Sequence, residues 1–412
     1  MTLEPPTYSP SAAVPPYSIA PGPSERTLAA TARSRRRTPT GVLTRSNRFI
    51  AVALRGQEEN AMQPSYGHNS VVSGDIGLSC TQGVHSVCVN LEGRLHLADS
   101  EGARVMLTFL NISYDIWRND GSGTCPTMFP FEFAMPEVFT DNGQRRPLPP
   151  TYSVPSSDAS GIRAQCYYSL SVIVERRGSK LGLWKPHKKL TVPFIHRPRL
   201  QPQQPILSSP FPFLATIKSL PEEWFQVTNT MPAKVKSAIR PIDCHLFIPA
   251  VQTFSLTDSI PFYLQLIGPP KSLEAFLYPT IPNHTKLKRS KSNAAETTTP
   301  PVVRVYLTRQ VTVVLRGHRS TRKFAIGEGT IRSLPPSVSA PTLDYEGEVH
   351  ASSDVTVGQF GISRLQVRDF ITVHLAPPNQ YTSQLGVLQH SHPIRLVTDS
   401  FMDNVDHEAH VP

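Results

Sequence analysis

A chain of 412 residues and 45.5 kDa is long enough for two or three domains at roughly 100 to 200 residues each, which excludes a single small domain. Its 41 prolines and 17% charged residues suit strands, edges and turns better than long helices, and its five cysteines are scattered with no metal-pair spacing, as expected of reduced core thiols rather than a disulfide framework. A net charge of +10 and a pI near 9.4 attract nucleic acid, anionic lipid or phosphorylated tails alike, and no run approaches the ~20 apolar residues that span a bilayer, so any membrane contact is expected to be peripheral.

Residues 1–45 combine Pro, Ser, Ala and Arg with almost no apolar periodicity, so they read as a disordered tail that cannot offset its ordering entropy. Short runs of Val, Ile, Leu and Phe separated by Gly, Asn, Asp or Pro then predict strands at Val71–Leu78, Val84–Leu91, Arg104–Ile112, Thr127–Ala134, Gly161–Glu175 and Lys189–Ile195. In the long run Gly161–Glu175, Tyr168, Leu170, Val172 and Val174 share one face. Pro130, inside Phe129-Pro130-Phe131-Glu132-Phe133, calls for an edge position or a bulge, because it cannot donate to a ladder.

A proline-rich stretch over 199–212 reads as a linker. Beyond it, strands are predicted at Phe225–Val227, Ala238–Phe247, Ile260–Ile267, Val302–Leu315, Glu346–Ala351, Leu365–Ala376 and Ile394–Thr398, with a mobile basic loop over 271–301 and an acidic tail over 401–412. No helical period stands out in either half. The expected fold is all-β: two consecutive antiparallel immunoglobulin-like β-sandwiches over 46–198 and 213–400.

Several segments, in order, resemble the arrestins, and among them the α-arrestins (arrestin-related trafficking adaptors) of fungi and animals, with the fungal type expected. In the first half these are Ser70–Ile76, Val87–Gly93, Phe129–Pro136, Leu148-Pro149-Pro150-Thr151-Tyr152-Ser153 and Tyr168–Val172; in the second, Phe360–Ser363, Val367–Val373 and Pro393–Thr398. The resemblance covers about residues 65–400 and implies two arrestin-type sandwiches acting as a scaffold for membrane-protein tails. It also implies recruitment of a HECT-type ubiquitin ligase, so that a transporter or receptor is ubiquitylated and internalised by a cytoplasmic adaptor drawn to the plasma membrane or endosomes.

Pro5-Pro6-Thr7-Tyr8 is a full Pro-Pro-x-Tyr peptide, in which two prolines preset a polyproline II helix for an aromatic groove and Tyr8 inserts beside it, as WW domains require. The alternative is a tail that nothing reads. Pro15-Pro16-Tyr17 lacks the spacer and stands as a weaker second site, useful to a partner with several WW domains. Pro149-Pro150-Thr151-Tyr152 matches fully, yet its place in a predicted strand region favours a structural role.

Two basic clusters, Arg35, Arg36 and Arg37 in the tail and Lys286, Lys288, Arg289 and Lys291 in the central loop, are candidate contacts for anionic lipid or phosphate, or simply solvating charge. Ser290 and Ser292 are candidate phosphorylation sites that would cancel the second cluster. Phosphate loops, Cys-x-x-Cys, His-Glu-x-x-His and Gly-x-Ser-x-Gly are lacking, and His390 with His392, or His407 with His410, are too isolated for a metal site, so neither a catalytic role nor a cofactor is expected. Two other readings stay open: a sorting-complex scaffold that works without a ligase, and a basic nucleic-acid-binding β protein. The second is disfavoured, and no nucleic acid expected, because few aromatics interleave with the basic runs.

Overall fold

A computed structural model describes residues 39–121, 124–154, 161–176, 187–206, 213–278, 302–335 and 341–401. In the first half these form β1 (Gly41–Ser46), β2 (Ile50–Gln57), β3 (Ser65–Tyr66), β4 (Val71–Leu78), β5 (Val84–Ala98), β6 (Arg104–Arg118), β7 (Met128–Ala134), β8 (Val138–Asp141), β9 (Gln144–Pro147), β10 (Tyr152–Ser153), β11 (Arg163–Arg176) and β12 (His187–His196). The second half adds α1 (Phe213–Ser219), β13 (Trp224–Met231), β14 (Ile242–Pro249), β15 (Thr253–Ser255), β16 (Ile260–Ile267), α2 (Pro270–Leu277), β17 (Val302–Leu315), β18 (His318–Ser333), β19 (Thr342–Val349), β20 (Phe360–Ile362), β21 (Leu365–Ala376) and β22 (Leu388–Val397). The all-β expectation is met.

Among the described residues the first half stacks a sheet ordered β1-β2-β4-β7 on another ordered β3-β12-β11-β5-β6, with β10 alongside β11. Alternation fixes which faces meet: Phe129, Phe131 and Phe133 of β7 are buried while Pro130 and Glu132 face solvent. Across the gap, Phe133 stacks on Tyr114 of β6 at 4.0 Å and Phe129 lies 6.0 Å from Trp117. Pro130 sits on an edge strand, as its missing N–H requires. On β11 the buried face is Tyr168, Leu170, Val172 and Val174.

The second half is one larger sheet, β13-β14-β16-β19-β18-β17-β21-β22-β15, folded over on itself. The fold line is β18, which pairs with β17 as far as Glu328 and with β19 from Gly329 onward. At Gly327 a Cβ would run into the His350 carbonyl, so only glycine lets the two layers approach there. The layers enclose Phe254, Phe262, Leu264, Leu307, Ile371 and Leu375.

Several sequence expectations need correction, among them the strand β2, which no predicted run covered although Ile50, Val52 and Leu54 alternate inward. The first strand starts at Gly41, inside the segment read as tail, because Leu43 is buried and the strand pairs with β2. Strand β18 was missed, since its charged residues and paired glycines hide the alternation. The helix α2 occupies the start of the predicted loop 271–301, anchored by fully buried Phe276, and α1 was also missed; both helices are two turns or so, too short to show a period. The rest of that loop, 279–301, and the tails 1–38 and 402–412 lie outside the described residues.

Candidate functional site

The second copy of Pro-Pro-Thr-Tyr, residues 149–152, is built into the fold. Pro149, Pro150 and Tyr152 are buried. The Tyr168 hydroxyl donates to the Pro149 carbonyl at 2.5 Å, the Thr151 amide donates to the His196 carbonyl at 2.9 Å, and the His196 amide donates to Thr151 Oγ1 at 2.9 Å. With its backbone stitched to β12 and its tyrosine in the core, this segment has no free polyproline face. The structural role read from the sequence is the one the fold gives it.

Tyr152 points at the second half, where its ring meets Phe360 edge-on at 5.3 Å. Beside it lies a buried ion pair. Arg309 of β17 and Asp369 of β21 face each other in the ladder, and Arg309 donates from Nε to Oδ1 at 2.7 Å and from Nη2 to Oδ2 at 3.0 Å, with a further bond from Nη2 to the Val357 carbonyl at 2.7 Å. The side chains are 4% and 0% exposed, so water does not screen the pair. Burial pushes the Asp369 carboxyl above its ordinary range, and Arg309 pulls against that shift. Burial likewise holds the Tyr152 phenol up at about 12, with Arg309 and Arg322 opposing.

This contact joins the halves. Val311, Val313 and Leu315 of β17, with Ile362, Leu365 and Val367, belong to the same apolar cluster as Val72, Leu91 and Tyr168 of the first half. Two polar bonds reinforce it, from the Ser363 amide to Asp141 Oδ2 at 2.8 Å and between the Ser100 and Ser320 hydroxyls at 3.2 Å. The linker is also tied down: the Leu200 amide donates to Thr398 Oγ1 at 2.8 Å, and Asp399 N–H donates to the Leu200 carbonyl at 3.0 Å.

Next to this junction opens a cleft of about 740 Å³ walled by both halves, with Leu148, Pro149 and Pro150 on one side and Phe360 and Ile394 on the other. Its charged groups are Arg197, Arg368 and Arg395, with His68 nearby. Among the described residues, no three His, Cys, Asp or Glu gather as metal ligands, and no helix is long and apolar enough to cross a membrane.

The residues singled out in the sequence, Pro5, Pro6, Tyr8, Pro15, Pro16, Tyr17, Arg35, Arg36, Arg37, Lys286, Lys288, Arg289, Lys291, Ser290 and Ser292, all lie outside the described residues. Sequence reasoning missed Arg309 and Asp369. Their signal was present, a lone charge at an inward position of each of two apolar strands, of opposite sign. No protein-family model matches the chain, and no curated protein matches it.

Proposed function

We propose that the chain is a non-catalytic trafficking adaptor of the arrestin type, which binds membrane-protein tails and recruits a WW-domain HECT-type ubiquitin ligase through Pro5-Pro6-Thr7-Tyr8. Pro15-Pro16-Tyr17 serves as a second, weaker site for a multi-WW partner. Under this reading the adaptor works in the cytoplasm and is drawn to membranes through its basic clusters, Arg35 to Arg37 and Lys286 to Lys291.

One observation carries the ligase assignment. Of two identical Pro-Pro-Thr-Tyr peptides, the copy at 149–152 is consumed by the fold, its prolines and tyrosine buried, so a WW partner is left with the copy at 5–8. The all-β architecture with two apolar clusters supports the scaffold half of the reading.

Binding of a WW-domain array to the full chain tests the proposal. Tyr8→Ala with Tyr17→Ala is expected to weaken binding at least about tenfold, whereas Tyr152→Phe leaves it unchanged. Binding that survives the double substitution overturns the ligase assignment.

A further inference from the structure

The cleft beside the junction combines features that no adaptor role explains. Arg368 and Arg395 lie one step past the last registered pair of β21 and β22, Asp369 with Ile394, which puts their side chains on the same outward face of neighbouring strands. Like charges opposite one another destabilise a sheet, and such pairs are normally relieved by a carboxylate. Among the described residues no Asp or Glu lines the cleft, and Arg197 adds a third guanidinium to its lining. Among the described residues none of the three makes a side-chain hydrogen bond or ion pair.

We infer that this cleft binds a small soluble organic phosphate with an apolar or aromatic body. Guanidinium groups match phosphate oxygens in a planar fork, and three arginines line this one cleft, with no acid among its described lining residues. The cleft volume of about 740 Å³ falls within the range of sites that enclose a small molecule. Prolines 149 and 150, Ile394 and the Phe360 ring supply an apolar wall for the rest of the ligand. A recess walled from both halves suits a discrete molecule better than the flat face of a bilayer. Because Arg197 belongs to the first half and Arg368 and Arg395 to the second, the bound phosphate bridges the halves and stabilises their junction.

Calorimetric titration of the full chain with naphthyl phosphate and with inorganic pyrophosphate, at ~0.15 M salt, provides the test. Naphthyl phosphate is expected to bind saturably and to raise the melting temperature, while naphthol does neither. Arg368→Gln with Arg395→Gln is expected to weaken binding at least about tenfold, and the charge-matched control Arg104→Gln with Arg145→Gln to leave it within about twofold. Both pairs are exposed, so each variant should fold, which its own melting curve verifies. Absence of saturable binding, or equal loss in the two variants, overturns the inference. So does tighter binding of a phosphotyrosine peptide or of phosphatidylserine vesicles that the Arg368/Arg395 variant abolishes, since the occupant is then a macromolecule or a membrane. None of these outcomes depends on the WW-domain experiment.

Discussion

The Tyr168 hydroxyl reaches across from β11 to donate to the Pro149 carbonyl at 2.5 Å, and both groups are buried. This bond holds the Pro-Pro-Thr-Tyr segment against the sheet at the point where the chain would otherwise be free to extend. Tyr168→Phe keeps the ring, with its contacts to Phe109 and Phe194, and removes only the donor. The expected loss is about 1 kcal/mol, a little more if the Pro149 carbonyl finds no other partner, read from urea unfolding.

The Arg309–Asp369 pair predicts a non-additive result. Asp369→Ala strands a guanidinium that is 4% exposed and is expected to cost about 3–5 kcal/mol. Replacing both partners, Arg309→Met with Asp369→Leu, is expected to cost much less than either change alone, because no charge is then left unpaired. A double-mutant cycle by denaturant unfolding measures the coupling.

His196 predicts an acid dependence. Its ring is buried against Tyr168 at 5.2 Å, and neither ring nitrogen makes a well-formed hydrogen bond. Burial lowers its pKa from 6.5 to about 4, only partly countered by the Tyr66 backbone. Below pH 6.5 the unfolded chain takes up a proton that the folded chain refuses, so stability contributed by the neutral ring falls as the pH drops toward 4 and levels off beneath it. The full loss is about 3 kcal/mol, and His196→Phe is expected to flatten that part of the stability–pH curve.

The glycine at the fold line of the second sheet gives a fourth expectation. Gly327→Ala places a Cβ against the His350 carbonyl, which is backbone and cannot swing aside. A loss of about 2–4 kcal/mol is expected, far above the ~1 kcal/mol typical of a point substitution, measured as a fall in melting temperature.

The same residues show what the sequence could and could not disclose. Val302–Leu315, Leu365–Ala376 and Ile260–Ile267 were legible to the residue, because apolar residues recur at every second position, broken only by the inward Arg309 and Asp369. The strand β18 was not, because Arg319, Arg322, Lys323 and the glycines 327 and 329 break the pattern where the sheet folds over. Helix α2 hid in a polar segment, since only Ser272, Leu273 and Phe276 turn inward. At the site, the buried tyrosine motif was anticipated from its place in the chain. The ion pair was not, because alternation places Arg309 and Asp369 inward but only the strand register sets the two opposite each other. Of the cleft arginines, Arg368 and Arg395 are brought together by the pairing of β21 with β22, and only the contact between halves adds Arg197.

The shared core has a consequence for synthesis. Residues of the first sandwich leave the ribosome with part of their apolar cluster uncovered, and the cover is supplied by Val311 to Val367. The stretch from His196 to Val367 is roughly 170 residues, which at about 5–20 residues per second takes on the order of 10–30 s to make. Through that interval Tyr152, whose ring packs on Phe360 in the finished protein, lacks its cover, so yield should depend on chaperone supply and elongation rate more steeply than the stability of the finished protein would suggest.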